Sequence, residues 1–178
     1  MANYWSKRAF AELSTEADDL AKRGMVYLAA EFFNIGATSS VAFVLDTNGK
    51  SIQFEFYDIG SDLHPVKAEL LEGASASFSP SASVVGRNLN RNVSDTHSAT
   101  LHSASAWAGG TKIASELVGS GAKAGGQISQ DKVHILKDNT RYVMVFYNTG
   151  SQTTACHLNL GWSEGEPDTY ELIENVEN

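Results

Sequence analysis

The stretch Arg141-Tyr142-Val143-Met144-Val145-Phe146-Tyr147-Asn148 decides the fold. From Tyr142 to Tyr147 every side chain is apolar or aromatic, so an extended chain here has no polar face to offer to water. Such a strand must be covered on both sides and belongs in the middle of a sheet. Downstream, Thr154, Cys156, Leu158, Leu160 and Trp162 alternate along the next run and share one face of a strand. Upstream, Val133 to Leu136 is a short strand of the same group.

Farther from that centre, Val41, Phe43 and Leu45 alternate into Asp46-Thr47-Asn48-Gly49, followed by Ile52, Phe54 and Phe56. The Asn-Gly pair between two alternating runs predicts a hairpin. Val66 to Leu70 alternates again, and Thr96 to Ser105 is a polar strand with Ala99 and Leu101 inward. Ala106 to Gln130 is glycine-rich and predicts an irregular excursion, with a short turn of helix near Ala114 to Leu117. Only the N-terminal part has helical spacing. Between Ser6 and Arg23, Phe10, Leu13, Ala17, Leu20 and Ala21 recur at intervals that suit one amphipathic helix, stopped by Gly24. The expected architecture is mainly β, a jelly-roll-like antiparallel β-sandwich with an N-terminal amphipathic helix. It divides into an arm and helix at 1–24, the sandwich at 25–163, and an acidic tail at 164–178 that is loosely ordered unless a partner holds it.

Composition narrows the function classes. The chain has 178 residues, 42% of them apolar, enough for one well-cored domain. Charged residues are only 19%, and their place is taken by 20 Ser, 11 Thr and 15 Gly, which gives a neutral, hydroxyl-rich surface. A net charge of −8 makes nucleic acid and anionic membrane poor partners, since both require an excess of Lys and Arg. The apolar run Met25 to Phe33 is interrupted by Glu31 and falls far short of the ~20 residues of a membrane span. No secretory signal precedes the first helix, and the lone Cys156 fits synthesis in a reducing cytosol.

The residue types that carry chemistry are scattered. His64, His97, His102, His134 and His157 fall on different strands and loops; His97 and His102 are the nearest pair, and their offset places them on opposite faces, so no metal is expected. Cys156 and His157, adjacent on a strand, also point to opposite faces, which leaves a buried, inert thiol. Gly119 to Gly126 has neither phosphate-loop spacing nor the helix that must follow it, and no cofactor is expected. Asp46, Glu55, Asp58, Glu69 and Glu72 lie near strand ends, where solvated strand faces are the ordinary outcome and an acid/base pair the rare one. Asn92-Val93-Ser94 matches a glycosylation sequon by composition alone.

Two features are less ordinary. Arg87, Asn88, Asn90, Arg91 and Asn92 form a polar run that suits either a turn with asparagine side chains bonded to the backbone, or an interface. Tyr4, Trp5 and Phe10 place large aromatics on a terminal arm, where they dock on their own domain or on a neighbouring subunit.

Taken in order, several motifs resemble a diverse family of small virion structural proteins of tailed bacteriophages. They are Leu70-Leu71-Glu72-Gly73, Arg87-Asn88-Leu89-Asn90-Arg91-Asn92, Gly110-Thr111-Lys112-Ile113, the glycines from Gly119 to Gly126, Ile135 to Tyr142, Asn148-Thr149-Gly150-Ser151, and Leu160-Gly161-Trp162-Ser163-Glu164. The resemblance runs from about Phe32 to Glu164 and leaves out the helix and the acidic tail. It implies a β-sandwich subunit on the capsid exterior, a decoration or cement protein that binds the major capsid protein, forms a symmetric dimer or trimer with itself, and catalyses nothing. A receptor- or carbohydrate-binding module of a head fibre or tail, using Trp107 and Tyr57, is the alternative. A small hydrolase is the third reading and lacks a convergent acid/base pair.

Overall fold

The computed structural model describes residues 20–94, 96–118 and 134–164, and the backbone alone at 55–57. Among the described residues there are eleven strands: β1 (Val26–Ile35), β2 (Ser40–Asp46), β3 (Ile52–Ser61), β4 (Val66–Glu72), β5 (Ser75–Val84), β6 (Arg87–Asn88), β7 (Thr100–Ala108), β8 (Thr111–Val118), β9 (His134–Leu136), β10 (Arg141–Asn148) and β11 (Thr154–Glu164). One sheet has the order β6-β1-β11-β3-β9 and the other β5-β7-β2-β10-β4-β8.

The pairing follows one rule. β1 pairs with β11, β2 with β10, β3 with β9 and β4 with β8, all antiparallel. The chain therefore folds back on itself as one long ribbon, whose successive rungs alternate between the two sheets. That is the winding of a jelly roll, and it buries the inward residues of both sheets in one core. Tyr142, Met144 and Phe146 of β10 face Leu158, Leu160 and Trp162 of β11 across this core. At one site Phe33 packs against both Phe43 and Phe146, with ring centroids 5.1 and 5.4 Å away.

β5, β6 and β7 form an insertion between β4 and β8, and they explain why β10 is apolar on both faces. The outward residues Ala42, Val44, Val143 and Val145 are fully buried, under Ala74, Ala76, Phe78, Ala104 and Trp107. The start of β5 and the end of β7 thus lie as a ribbon over the outside of β2 and β10, and Arg141 places its guanidinium 5.3 Å from the Phe78 ring centre. The insertion then extends both sheets at their β1 and β2 edges, where β6 joins β1 and β7 joins β2.

The structure corrects three sequence expectations. β2 and β3 do not form a hairpin: they lie in different sheets, and Asp46 to Gly49 is an arch between them. Asn48 and Gly49 do have positive φ, 45° and 85°, as an Asn-Gly turn requires. The arch is held by Thr47, whose hydroxyl donates to the Lys137 carbonyl at 2.9 Å and accepts the Thr140 amide at 2.9 Å. Residues 114–117 are strand, not helix, because β8 completes the ladder on β4 after a tight turn at Gly109 and Gly110. Glu164 belongs to the last strand and is buried, so the sandwich extends one residue beyond its expected end.

Of the N-terminal helix only its last turn, at residues 20–22, is among the described residues, and it ends at Gly24 as expected. The Met25 amide bonds the Leu20 carbonyl at 2.9 Å and the Gly24 amide bonds the Ala21 carbonyl at 3.0 Å. With Gly24 at φ +73°, this is the Schellman arrangement that closes helices on a left-handed glycine. Tyr4, Trp5, Phe10, the glycines from Gly119 to Gly126 and the tail beyond Glu164 lie outside the described residues.

Candidate functional site

The run from Val85 to Val93 is where the insertion, the helix end and the first strand meet. It starts at Gly86, where any side chain would collide with the Trp162 indole, 2.6 Å from a Cβ placed there. Asn88 follows and is only 1% exposed. Its side-chain amide donates to the Gly24 carbonyl at 2.7 Å, and its carbonyl oxygen accepts the Asn90 backbone amide at 2.8 Å. Asn90 repeats the pattern: it donates to the Lys22 carbonyl at 2.7 Å and accepts the Asn92 amide at 3.1 Å. Two successive asparagine turns thus satisfy carbonyls at the end of the helix that the helix itself leaves unpaired. The Leu89 amide bonds the Val26 carbonyl at 2.9 Å, and Arg91 donates to the Asn88 carbonyl at 3.3 Å.

The structure thereby divides the five predicted residues. Asn88 and Asn90 face the protein and pin the segment, while Arg87, Arg91 and Asn92 are exposed. Between them Val85, Leu89 and Val93 are exposed large apolar side chains. The arrangement presents three apolar groups on a backbone fixed at several points. Periodicity could not have shown this, because the carbonyls that Asn88 and Asn90 cap lie more than sixty residues away in the chain.

A second anchor steadies the same region. The Glu164 carboxylate accepts the Ser98 amide at 2.9 and 2.7 Å, the Ala99 amide at 2.8 Å and the Trp162 indole N–H at 3.3 Å. Next to it the rings of Tyr27, His97 and Trp162 contact one another in a cluster, with centroids 5.4 to 5.8 Å apart.

The other chemical candidates are engaged elsewhere. Asp46 receives the Arg141 guanidinium in a two-pronged pair at 2.7 and 2.8 Å. Glu69 pairs with Lys67 at 2.7 Å and with Lys112 at 3.2 Å, and the lysine hydrogen bonds hold its carboxyl below the usual glutamate range. Glu72 pairs with Lys137 at 2.6 Å and accepts the Tyr142 hydroxyl at 3.1 Å, with the same downward effect. Asp58 meets His157 at 3.2 Å, and the Glu55 side chain lies outside the described residues. Cys156 points into the core, away from His157, and burial pushes its thiol up to about 11. Trp107 lies on β7 and is half-buried over the outer face of β2 and β10; the Tyr57 side chain is outside the described residues.

Between the edges formed by β8 and β9 the two sheets leave a cavity of about 40 Å³, lined by Phe54, Ile59, Leu70, Met144, Phe146 and Leu158. That volume is room for about two waters. Among the described residues no group of three or more His, Cys, Asp or Glu side chains could hold a metal ion.

No protein-family model matches the chain. No curated protein matches it either. Among solved structures, a Yersinia pseudotuberculosis-derived mitogen is 12% identical with a TM-score of 0.33, over 81% of this chain and 91% of the mitogen. Hydroquinone 1,2-dioxygenase from Sphingomonas sp. TTNP3 is 10% identical with a TM-score of 0.31, over 78% of this chain and 60% of the dioxygenase. PirA is 8% identical with a TM-score of 0.31, over 74% of this chain and 93% of PirA. Likenesses this distant carry no argument about function.

Proposed function

We propose that this chain is a structural protein of a bacteriophage virion, a decoration or cement protein that binds the outer surface of the major capsid protein shell. The observation that carries this reading is the pinned segment from Val85 to Val93. A surface that exposes Val85, Leu89 and Val93, on a backbone already ordered by Asn88 and Asn90, binds without the entropy cost of first becoming rigid. Its apolar groups suit the centre of a protein contact.

The engaged carboxylates support a role without catalysis. A general acid needs a raised pKa, and the lysines beside Glu69 and Glu72 act in the opposite direction. The motifs behind the phage resemblance also serve as internal fasteners. Glu72 of Leu70-Leu71-Glu72-Gly73 meets Lys137 and Tyr142 of the Ile135 to Tyr142 motif, and the last motif supplies Trp162 and Glu164. In this reading the protein stabilises assembled heads by linkage: a partner that binds the assembled shell and not free subunits shifts the equilibrium toward the shell. Self-association on the shell is part of this reading, and the charge of −8 fits the lack of direct contact to nucleic acid. Among the described residues no helix is long and apolar enough to cross a membrane.

The experiment is co-sedimentation of the purified protein with heads that lack it. Binding at a copy number matching the major capsid protein supports a decorator, and a handful of copies per head supports the fibre or tail alternative. No co-sedimentation overturns both. Removal of residues 1–10, with Tyr4, Trp5 and Phe10, should weaken attachment if the arm reaches a neighbouring subunit.

A further inference from the structure

Each edge of a β-sheet exposes backbone N–H and C=O groups that another strand could pair with, and proteins usually blunt such edges. Among the described residues, β6 and β9 are too short to offer much, with two and three residues. β5 is broken by Pro80 and by two register irregularities. The part of β1 beyond β6 has Glu31 on its inward face, opposite the core residue Leu158. β8 differs. It is eight residues long, and its pairing with β4 is regular from Ala114 to Val118, with one bulge at Ile113. Its outward face carries Ile113, Ser115 and Leu117, with Leu117 68% and Ile113 39% exposed. Lys112, the residue that would guard this edge, is drawn back toward β4 by Glu69 at 3.2 Å.

We infer that a second copy of this chain pairs along β8, antiparallel, about a twofold axis at Ser115. The register follows from side-chain parity. Directly opposed residues of antiparallel strands lie on the same face, so a strand that pairs with itself about an axis normal to the sheet must centre on a residue. Centring on Ser115 sets Ile113 against Leu117 of the second copy, and Leu117 against its Ile113. Centring on Ala114 or Glu116 sets each of them against something else. Only the Ser115 register makes apolar pairs of both exposed groups, and it joins the two larger sheets into one.

Glu116 keeps this pairing weak. It lies on the inward face of β8 beside the cavity between the sheets, and its Oε2 is buried without a hydrogen-bond partner. In the Ser115 register the two Glu116 side chains are diagonal neighbours, at about 7–8 Å, and repel each other. The contact therefore forms when copies are concentrated and stays open in dilute solution.

The register is tested with the full chain by cysteine cross-linking. Opposed residues of an antiparallel pair have Cα atoms about 4.5–5.5 Å apart, inside disulfide range. Ser115→Cys should form a disulfide-linked dimer under a mild oxidant at least about tenfold faster than Leu63→Cys, an exposed control on another loop. Ile113→Cys mixed with Leu117→Cys should cross-link as a heterodimer, and neither should do so alone. In sedimentation velocity Glu116→Gln should tighten association and Leu117→Lys should abolish it. Equal rates for Ser115→Cys and Leu63→Cys overturn the proposal. So does a mass independent of concentration for both the parent chain and Glu116→Gln.

Discussion

Glu164 holds the Ser98 backbone amide on both of its carboxylate oxygens, at 2.9 and 2.7 Å. The pair closes the end of β11 onto the segment that leads into β7, across 66 residues of chain. With the Ala99 amide and the Trp162 indole on the same carboxylate, removing it leaves several buried donors without an acceptor. Glu164→Ala should cost on the order of 3 kcal/mol in urea unfolding, and Glu164→Gln, which keeps one acceptor, should cost less. Equal stability of Glu164→Ala and the parent chain would refute this role.

The pinned segment separates folding from binding. Asn88→Ala removes one buried and one part-buried hydrogen bond and should lower unfolding stability by about 2 kcal/mol. The double substitution Val85→Glu with Leu89→Glu changes exposed apolar side chains and should leave the circular dichroism spectrum intact while reducing attachment to heads. If charging both positions leaves attachment unchanged, the segment is not the capsid contact.

Acid should weaken the fold through Glu69 and Glu72. Both carboxyls lie below their ordinary value of 4.5, first because of hydrogen bonds from Lys67 and Lys137 respectively. A carboxylate whose folded pKa is depressed contributes stability in full above its unfolded pKa, and loses it as the pH falls through the folded value. The urea midpoint should therefore fall from about pH 4.5 downward, and more gently in a Glu69→Gln, Glu72→Gln variant. Identical acid limbs in the two proteins would exclude these groups as the cause.

Cys156 should react slowly. Its thiol is buried on β11, and desolvation raises its pKa to about 11, so little thiolate exists at neutral pH. A thiol reagent in excess should modify it only as fast as the chain opens, and denaturant should raise the rate by orders of magnitude. Rapid modification of the folded protein would place the thiol elsewhere.

Local pattern was a good guide where one strand could be judged by itself. β10 was legible because a run of apolar residues on both faces admits no exposed strand, and β11 because its alternation is strict from Thr154 to Trp162. The Gly24 stop was legible because it depends on one residue's tolerance of positive φ. The reading failed where pairing was at issue. An Asn-Gly turn at positive φ serves a hairpin and an arch equally well, and what sends β2 to one sheet and β3 to the other is the return of β10 and β11 some hundred residues later. At β8, a glycine-rich context hid a strand whose partner among the described residues is β4.

The candidate site divides along the same line. Composition and spacing alone marked the Asn-Arg run as unusual and left open whether it was a turn or an interface. Only the tertiary structure decided that Asn88 and Asn90 belong to the turn and Arg87, Arg91 and Asn92 to the surface, because the acceptors of the two asparagines lie at the end of a distant helix. Glu164 shows the reverse error: by charge it belonged to an acidic tail, but burial and three amide bonds from Ser98 and Ala99 place it in the core. What the sequence determined by itself was local: which stretches must be strands, and which faces must be dry. Hydrogen-bond partners far apart in the chain are set by the winding of the ribbon, and no short window of residues contains that information.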